Sequence, residues 1–158
     1  MIIIRKATVE DLPAVLELIR ELAHFEKEPD AVEITIETLL EHGFGTHPLF
    51  QIRIATRHDE IIGMALFYYR FSTWKGKTIH LEDLIIRENA RGTGAGGKLY
   101  AEVMKIAHKE NVKRVEWVVL DWNQKAIDFY TKTGAKISED WRTVQMDEQG
   151  LQNYIKSL

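Results

Sequence analysis

The sequence predicts an α/β (α+β) fold, in which a mixed β-sheet carries helices on both faces, formed as a single domain over residues 1–158. Apolar residues recur at helical spacing in the segments that begin near Thr8 and near Gly94, which predicts amphipathic helices. Apolar and polar residues alternate over 51–57, which predicts a half-buried strand. The run RVEWVVL at 114–120 favours a central strand buried on both faces, because its end is almost continuously apolar.

The first half of the chain predicts a strand, two helices and a hairpin. Residues 2–5 predict a short strand, and the acidic residues after Thr8 favour a helix from there to about His24. A second, shorter helix follows and is expected to stop at Gly43. The alternating segments 51–57 and 61–71 flank a short turn, so they predict the two strands of a hairpin.

The second half predicts a third long strand over 78–87, then a glycine-rich loop and a helix from about Gly94 to Lys109. The strand at 114–120 comes next, and a short helix after it is expected to end at Gly134. Residues 135–146 are expected to supply one or two closing strands, and the last twelve residues a terminal helix.

Composition excludes several classes of protein. The chain has no cysteine, so disulfides and thiolate metal sites are excluded, and its six histidines show no metal-ligand spacing, so we expect no metal. A net charge of −3 without any basic block disfavours a nucleic-acid partner. No apolar run approaches the roughly 18 residues of a membrane span, and the N-terminal residues do not resemble a signal peptide. A cytoplasmic protein is expected.

The segment ENARGTGAGGKLY at 88–100 fits three phosphate-binding patterns. An ATP-type P-loop needs Ser or Thr after its lysine to bind magnesium, but Leu99 stands there. A dinucleotide loop needs its first glycine directly after a strand, but four residues separate the strand from Gly92. The third pattern, Arg91-x-x-Gly94-x-Gly96, is the pyrophosphate loop of enzymes that use acetyl-coenzyme A. A glycine-rich turn without a ligand remains the alternative.

The third pattern accounts for the most residues. Backbone N–H groups from Arg91 to Gly97 are expected to surround a pyrophosphate, and the following helix directs its positive end at the same charge. Side chains at these positions would block the approach, which explains why glycines stand there.

The chain resembles the GNAT-superfamily N-acetyltransferases, and within them the diamine (spermidine/spermine) acetyltransferases and their thialysine-acetylating relatives. The stretches that carry the resemblance are RGTGAG, the LED before it, WNQKAIDFY after it, and HGFGTHPLF. The resemblance implies a mostly antiparallel sheet and transfer of an acetyl group from acetyl-CoA to a primary amine of a diamine, polyamine or lysine-like compound. It also implies a homodimer.

The resemblance also assigns roles to residues. Tyr130 matches the tyrosine at the departing sulfur, and Glu82 matches the acid that binds the substrate and removes its proton. Phe25 and Glu26 match a pair that lines the polyamine end, although the family often has tyrosine where Phe25 stands. The residues matched to coenzyme binding are Leu84, Ile85, Ile86, Arg91, Gly92, Thr93, Gly94, Ala95, Gly96, Gly97, Asn123, Gln124, Lys125, Ala126 and Tyr130.

Acetylation of an amine requires a group that removes a proton from it, and a carboxylate such as that of Glu82 or Asp83 can accept that proton. A lysine-like amine of pKa about 10.4 is neutral in only about one molecule in 2,500 at pH 7, so deprotonation costs roughly 4.6 kcal/mol. Glu82 lies among apolar neighbours in sequence, which is expected to raise its pKa and suit it as the base. Strand alternation is expected to point Asp83 to the opposite face, as a substrate-orienting residue or an alternative base.

Other functions stay open from the sequence. Glu82 is also compatible with a solvated strand carboxylate, and Phe129 with Tyr130 is compatible with ordinary helix packing. The acceptor amine is expected to be small, but a protein amine or another metabolite is the alternative. A non-catalytic sensor of acyl-coenzyme A is a further alternative, which needs neither Glu82 nor Tyr130.

Overall fold

The computed structural model describes all 158 residues, and the chain forms two compact units, Met1–Val118 and Val119–Leu158. The first unit contains β1 (Ile2–Lys6), α1 (Leu12–Phe25), α2 (Ile36–Phe44), β2 (Gln51–Arg57), β3 (Glu60–Ser72), β4 (Gly76–Ile86), α3 (Ala95–Lys109) and β5 (Val115–Glu116). The second unit contains α4 (Gln124–Lys132) and α5 (Glu148–Lys156). None of these helices combines the length and the apolar character that a membrane crossing requires.

The first unit is built on a five-stranded sheet in the order β1-β2-β3-β4-β5. The first four strands pair antiparallel, and β5 pairs parallel with β4. The predicted hairpin is confirmed, since only His58 and Asp59 separate β2 from β3, and both have positive φ (51° and 64°). Two left-handed residues in succession give the turn whose twist matches that of the paired strands.

Helices cover both faces of this sheet, as predicted. The helices α1 and α2 pack on one face, where Leu16, Leu39, Met64 and Leu66 belong to a single buried cluster. Phe67 is fully buried as well, and strand alternation places it on the opposite face, where α3 contacts β1 to β4. The central strands are therefore buried on both sides.

The second helix ends later than predicted, because Gly43 does not stop it. Helix α2 continues to Phe44, and its C-cap is Gly45. A Cβ atom at Gly43 would lie only 2.5 Å from the ring of Phe50, so glycine at this position lets that ring pack directly on the helix.

The prediction of a long central strand at 114–120 was wrong. Strand β5 has two residues, lies at the sheet edge and leaves Val118 71% exposed. The closing strands expected over 135–146 are also missing, since that segment contains no strand. The two results are connected: a strand becomes central only when it is paired on both sides, and β5 pairs with β4 alone. The terminal helix, in contrast, is confirmed as α5.

The start of α1 is held by a bidentate ion pair. Arg5 donates from its two terminal nitrogens to Asp11 at 2.7 and 2.8 Å, and the Thr8 amide donates to the same carboxylate at 2.7 Å. These donors, the Arg5 guanidinium first, lower the pKa of Asp11 to about 2, although burial opposes the shift. This ion pair connects β1 to the short helical turn, ending at Asp11, that directly precedes α1.

We expect the Asp11→Asn variant to be destabilised by about 2 kcal/mol at pH 7, because a carboxyl pKa lowered by roughly 1.8 units corresponds to that free energy. A depressed pKa stabilises the folded chain above the unfolded pKa of about 4, and this contribution is lost as pH falls towards 2. Urea unfolding at pH 7 and at pH 2–3 measures the difference. The exposed Asp30→Asn substitution is the control, and a pH-independent difference for Asp11 would refute the assignment.

Candidate active site

A β-bulge in β4 organises the acidic residues of the first unit. Leu66 pairs with Asp83 and Phe67 pairs with Leu81, so Glu82 is an extra residue without a partner on β3. Paired residues of antiparallel strands face the same side, so Asp83 lies on the face of Leu66, beneath α1. Tyr68 also packs against this core, and its hydroxyl donates to Glu82 Oε2 at 3.0 Å. Glu82 and Asp83 therefore share one face.

This geometry corrects two expectations from the sequence. Asp83 does not point away from Glu82, because the bulge interrupts the alternation of side chains along β4. Nor is Glu82 in an apolar setting: its side chain is 50% exposed, and His80 Nε2 lies 3.5 Å from its Oε2.

The C-terminal end of α1 adds a third carboxylate, which completes an acidic trio of Glu26, Glu82 and Asp83. Burial first, and then the charges of Glu82 and Glu26, together raise the pKa of Asp83 to about 7. Burial also raises the pKa of Glu26. No group of three or more histidine and acidic side chains is arranged to hold a metal ion. Asp83 thus has the raised proton affinity that groups at sites of proton transfer often have.

The glycine-rich loop presents main-chain donors at the start of α3. Gly92 and Gly94 have φ of 78° and 85°, a conformation that a residue with a side chain rarely adopts. Helix α3 begins at Ala95 without a side-chain cap, and its internal hydrogen bonding starts with Lys98 N–H donating to Gly94 at 3.1 Å. A Cβ atom at Gly92, Gly94 or Gly97 would meet nothing within 4 Å. The loop therefore combines free amides with open space, which fits an anionic ligand.

Arg91 connects this loop to α1. Its guanidinium lies 5.1 Å from the centre of the Phe25 ring, and its Nε donates to the carbonyl of Ile86 at 3.3 Å. Phe25 therefore lies against the loop rather than only at the substrate end, where the resemblance assigned it. Phe25 and Glu26 are consecutive at the end of α1, so Phe25 contacts the loop while Glu26 belongs to the acidic trio.

The last residues of β4 leave one edge of their backbone without a strand partner. Strand β5 pairs with β4 only at Ile79 and His80, so Leu84, Ile85 and Ile86 have β3 on one side alone. On the β3 side, contact is tight at Gly63, where a Cβ would lie 2.5 Å from the carbonyl oxygen of Ile85. The edge that faces away from β3 has no strand partner within the first unit, and the carbonyl of Ile86 already accepts from Arg91 Nε.

In the second unit, Asn123 caps the short helix α4, which contains Tyr130. The side chain of Asn123 caps α4 by accepting from the Ala126 amide at 3.3 Å, and Gln124 donates to Asp128 at 2.7 Å. The partly buried Tyr130 lies against Phe129, with ring centres 5.3 Å apart. Sequence analysis assigned Asn123 to the coenzyme, and its side-chain oxygen is engaged in this cap.

Comparison with known proteins identifies the family. The model of the acetyltransferase (GNAT) family matches residues 12–135, which include the bulge, the glycine loop and α4. The chain belongs to the acetyltransferase (GNAT) family. The mixed, mostly antiparallel sheet and the loop RGTGAG are thereby accounted for as parts of an acetyltransferase.

Known relatives of this acetyltransferase include enzymes of small amines. It is 34% identical over 161 residues to a thialysine N-epsilon-acetyltransferase of Sus scrofa, which covers 95% of this chain and 95% of that protein. It is 34% identical over 158 residues to a human (Homo sapiens) spermidine/spermine N(1)-acetyltransferase-like protein 1, covering 94% of this chain and 23% of that protein. An integron cassette protein from V.cholerae has the same fold, with a TM-score of 0.80 at 22% identity and 98% of both chains covered.

The acetyltransferase contains contacts that sequence analysis did not identify. His80 and Arg70 lie beside the acidic trio, and Arg70 Nη1 is 3.1 Å from His80 Nδ1. Tyr68 lies opposite His80, because β3 and β4 pair in this register. The bulge then brings Glu82 next to both, and it has no signal in the residue pattern.

Proposed function

We propose that this acetyltransferase transfers the acetyl group of acetyl-CoA to a primary amine of a small cationic compound, such as a diamine, a polyamine or a lysine-like molecule. The convergence of Glu26, Glu82 and Asp83 at the bulge of β4 carries this proposal. Three carboxylates on one face attract a substrate with more than one ammonium group. The similarity to enzymes named for thialysine and for spermidine/spermine supports the same class of substrate.

The residues of the glycine loop fit the pyrophosphate of the coenzyme. The free amides at the start of α3 and the guanidinium of Arg91 supply donors and positive charge, and the side-chain-free positions leave room for phosphate oxygens. Leu84 to Ile86 offer their unpaired backbone edge to the extended arm of the coenzyme. Bound acetyl-CoA supplies the acetyl group as a thioester. Gln124 to Ala126 are the proposed coenzyme contacts of the second unit.

Proton removal is best assigned to Asp83, with Glu82 as the carboxylate that first binds the ammonium. Moving a proton from an amine of pKa 10.4 to an ordinary aspartate of pKa 3.9 is uphill by about 9 kcal/mol. An acceptor of pKa about 7 reduces this to roughly 4.6 kcal/mol. Glu82 is half exposed and therefore accessible to an incoming cation. Glu26 is proposed to bind the second ammonium group.

Tyr130 is proposed to donate a hydrogen bond to the departing sulfur, which gains negative charge as the thioester breaks. Full proton transfer from a phenol of pKa about 10 to a thiolate of pKa about 8.5 is uphill by roughly 2 kcal/mol. Tyr130 is therefore proposed to donate a hydrogen bond rather than to transfer its proton fully, because donation does not incur this cost. We further propose a homodimer, as the resemblance implies, and a cytoplasmic enzyme that needs no metal, as composition and histidine spacing predict.

An amine panel tests the function. We expect release of the coenzyme thiol with diamines, spermidine, lysine and thialysine, and at least tenfold lower kcat/KM with a monoamine of matched chain length, which lacks the second ammonium. A peptide amine is included as the alternative acceptor. Turnover of peptides without turnover of diamines would overturn the substrate class. Tight coenzyme binding without turnover of any amine would instead favour the sensor.

A further inference from the structure

His80 occupies a position between the acidic trio and the sheet edge, and the reaction described above does not use it. Its side chain is only 13% exposed, and Tyr68 stands opposite it on β3, with ring centres 5.2 Å apart. Its two ring nitrogens face different partners. Nδ1 lies 3.1 Å from Arg70 Nη1, and Nε2 lies 3.5 Å from Glu82 Oε2.

The partner of Nδ1 determines where the imidazole carries its proton. A guanidinium has donors and no acceptor, so Arg70 must donate and Nδ1 must accept. The proton of the neutral ring is then on Nε2, the nitrogen that faces Glu82. The distance of 3.5 Å exceeds that of a formed hydrogen bond, and such contacts in ligand-free sites often shorten when substrate binds.

Arg70 is itself held in place from β5. Its guanidinium forms an ion pair with Glu116, and Glu116 is also paired with Arg114 at 2.6 Å. The chain of contacts therefore runs from β5 through β3 to His80 and Glu82 on β4. On the other side of Glu82, the Tyr68 hydroxyl donates to the same oxygen, Oε2.

The surroundings of His80 keep its ring neutral. Burial lowers the pKa of His80, and the charge of Arg70 lowers it as well, while the charges of Glu82 and Glu116 oppose the shift without reversing it. A neutral ring offers Glu82 an N–H donor without cancelling the charge of the carboxylate. That charge attracts the ammonium group and contributes to the raised pKa of Asp83.

We propose that His80 is a positioning residue and that Arg70 holds it in its Nε2–H form. His80 and the Tyr68 hydroxyl together fix Oε2 of Glu82, which leaves Oε1 for the substrate amine. This inference rests on the proposed function for its kinetic consequences. Its tautomer, in contrast, is a property of the free protein. The two parts are therefore testable separately.

The first test measures the tautomer by 15N NMR of imidazole-labelled protein at neutral pH, with the His80 signal assigned from the His80→Gln variant. We expect an unprotonated Nδ1 and a protonated Nε2. The Arg70→Met variant, which removes the donor and keeps an apolar stem, should shift the population towards the Nδ1–H form. A wild-type ring protonated at Nδ1, or no change in the variant, would overturn the proposal whether or not the enzyme acetylates diamines.

The second test compares two replacements of His80 with a diamine substrate. His80→Phe keeps a ring against Tyr68 but has no donor, and we expect the amine KM to rise about tenfold while coenzyme affinity is unchanged. His80→Gln places an amide N–H near the position of Nε2 and should restore KM to within about twofold of wild type. Equal defects in both variants would indicate a structural role only and refute positioning. If wild type acetylates no small amine, the proposed function fails, and the NMR result alone decides the tautomer.

Discussion

Replacing Asp83 with asparagine should lower kcat/KM for a small diamine by about 10²–10⁴-fold, the usual effect of removing a general base. The substitution keeps the shape of the side chain and removes its capacity to accept a proton. Because Asp83 pairs across the sheet with Leu66 and does not cap a helix, we expect the fold and coenzyme affinity to be retained. Thiol release at saturating coenzyme measures the change.

The pH profile distinguishes a lost base from a distorted site. Asp83 has a raised pKa of about 7, so the wild-type kcat/KM should rise through pH 7 as the carboxyl loses its proton and then level off. In the variant this transition should disappear, and the rate should climb continuously with pH as more amine becomes neutral.

The matched control for this prediction is Asp59→Asn, the same substitution at an exposed residue of the β2–β3 turn, where asparagine tolerates the positive φ. It should leave the pH profile unchanged. Persistence of the transition near pH 7 in the Asp83 variant would show that a different titrating group is responsible and would refute Asp83 as the base.

The Gly94→Val variant should bind coenzyme A about 10–100-fold more weakly, since a non-glycine residue with positive φ costs roughly 1–3 kcal/mol and its side chain fills space needed by phosphate. Relief of that strain would also turn the amides at the start of α3 away from the ligand. Calorimetric titration with coenzyme A gives the affinity directly.

Gly76 offers a control, because a side chain at this position would meet the same strain from a positive φ. It also has positive φ (73°) and open space around it, but it lies at the opposite end of β4 from the loop. Gly76→Val should reduce stability and leave coenzyme affinity unchanged. Equal loss of affinity in both variants would show that general destabilisation, rather than the loop, controls binding.

Local patterns in the sequence were enough to predict most of the first unit. Helix α1 and the hairpin of β2 and β3 depend on periodicity and on a two-residue turn, which are encoded over a few neighbouring residues. The closing strands were predicted from composition, but 135–146 forms no strand. Pairing depends on a partner that composition cannot supply.

The candidate site was predictable in part. The glycine loop is continuous in sequence, so its motif indicated the backbone that Gly92 and Gly94 adopt, whereas its ligand stays a prediction. The acidic trio joins Glu26 to residues more than fifty positions later, and the raised pKa of Asp83 comes first from burial in the folded chain and then from the charges of Glu82 and Glu26. The bulge at Glu82 reflects packing against β3, which no alternation of residue types reveals.

The extra residue in β4 has an effect beyond the acidic side chains. A bulge bends its strand, and β4 has its last pairing with β5 at His80, two residues before the unpaired position. This one extra residue thus brings two acids onto a common side of the strand. Deleting Glu82 would consequently remove one member of the acidic trio and also straighten the strand that carries Asp83.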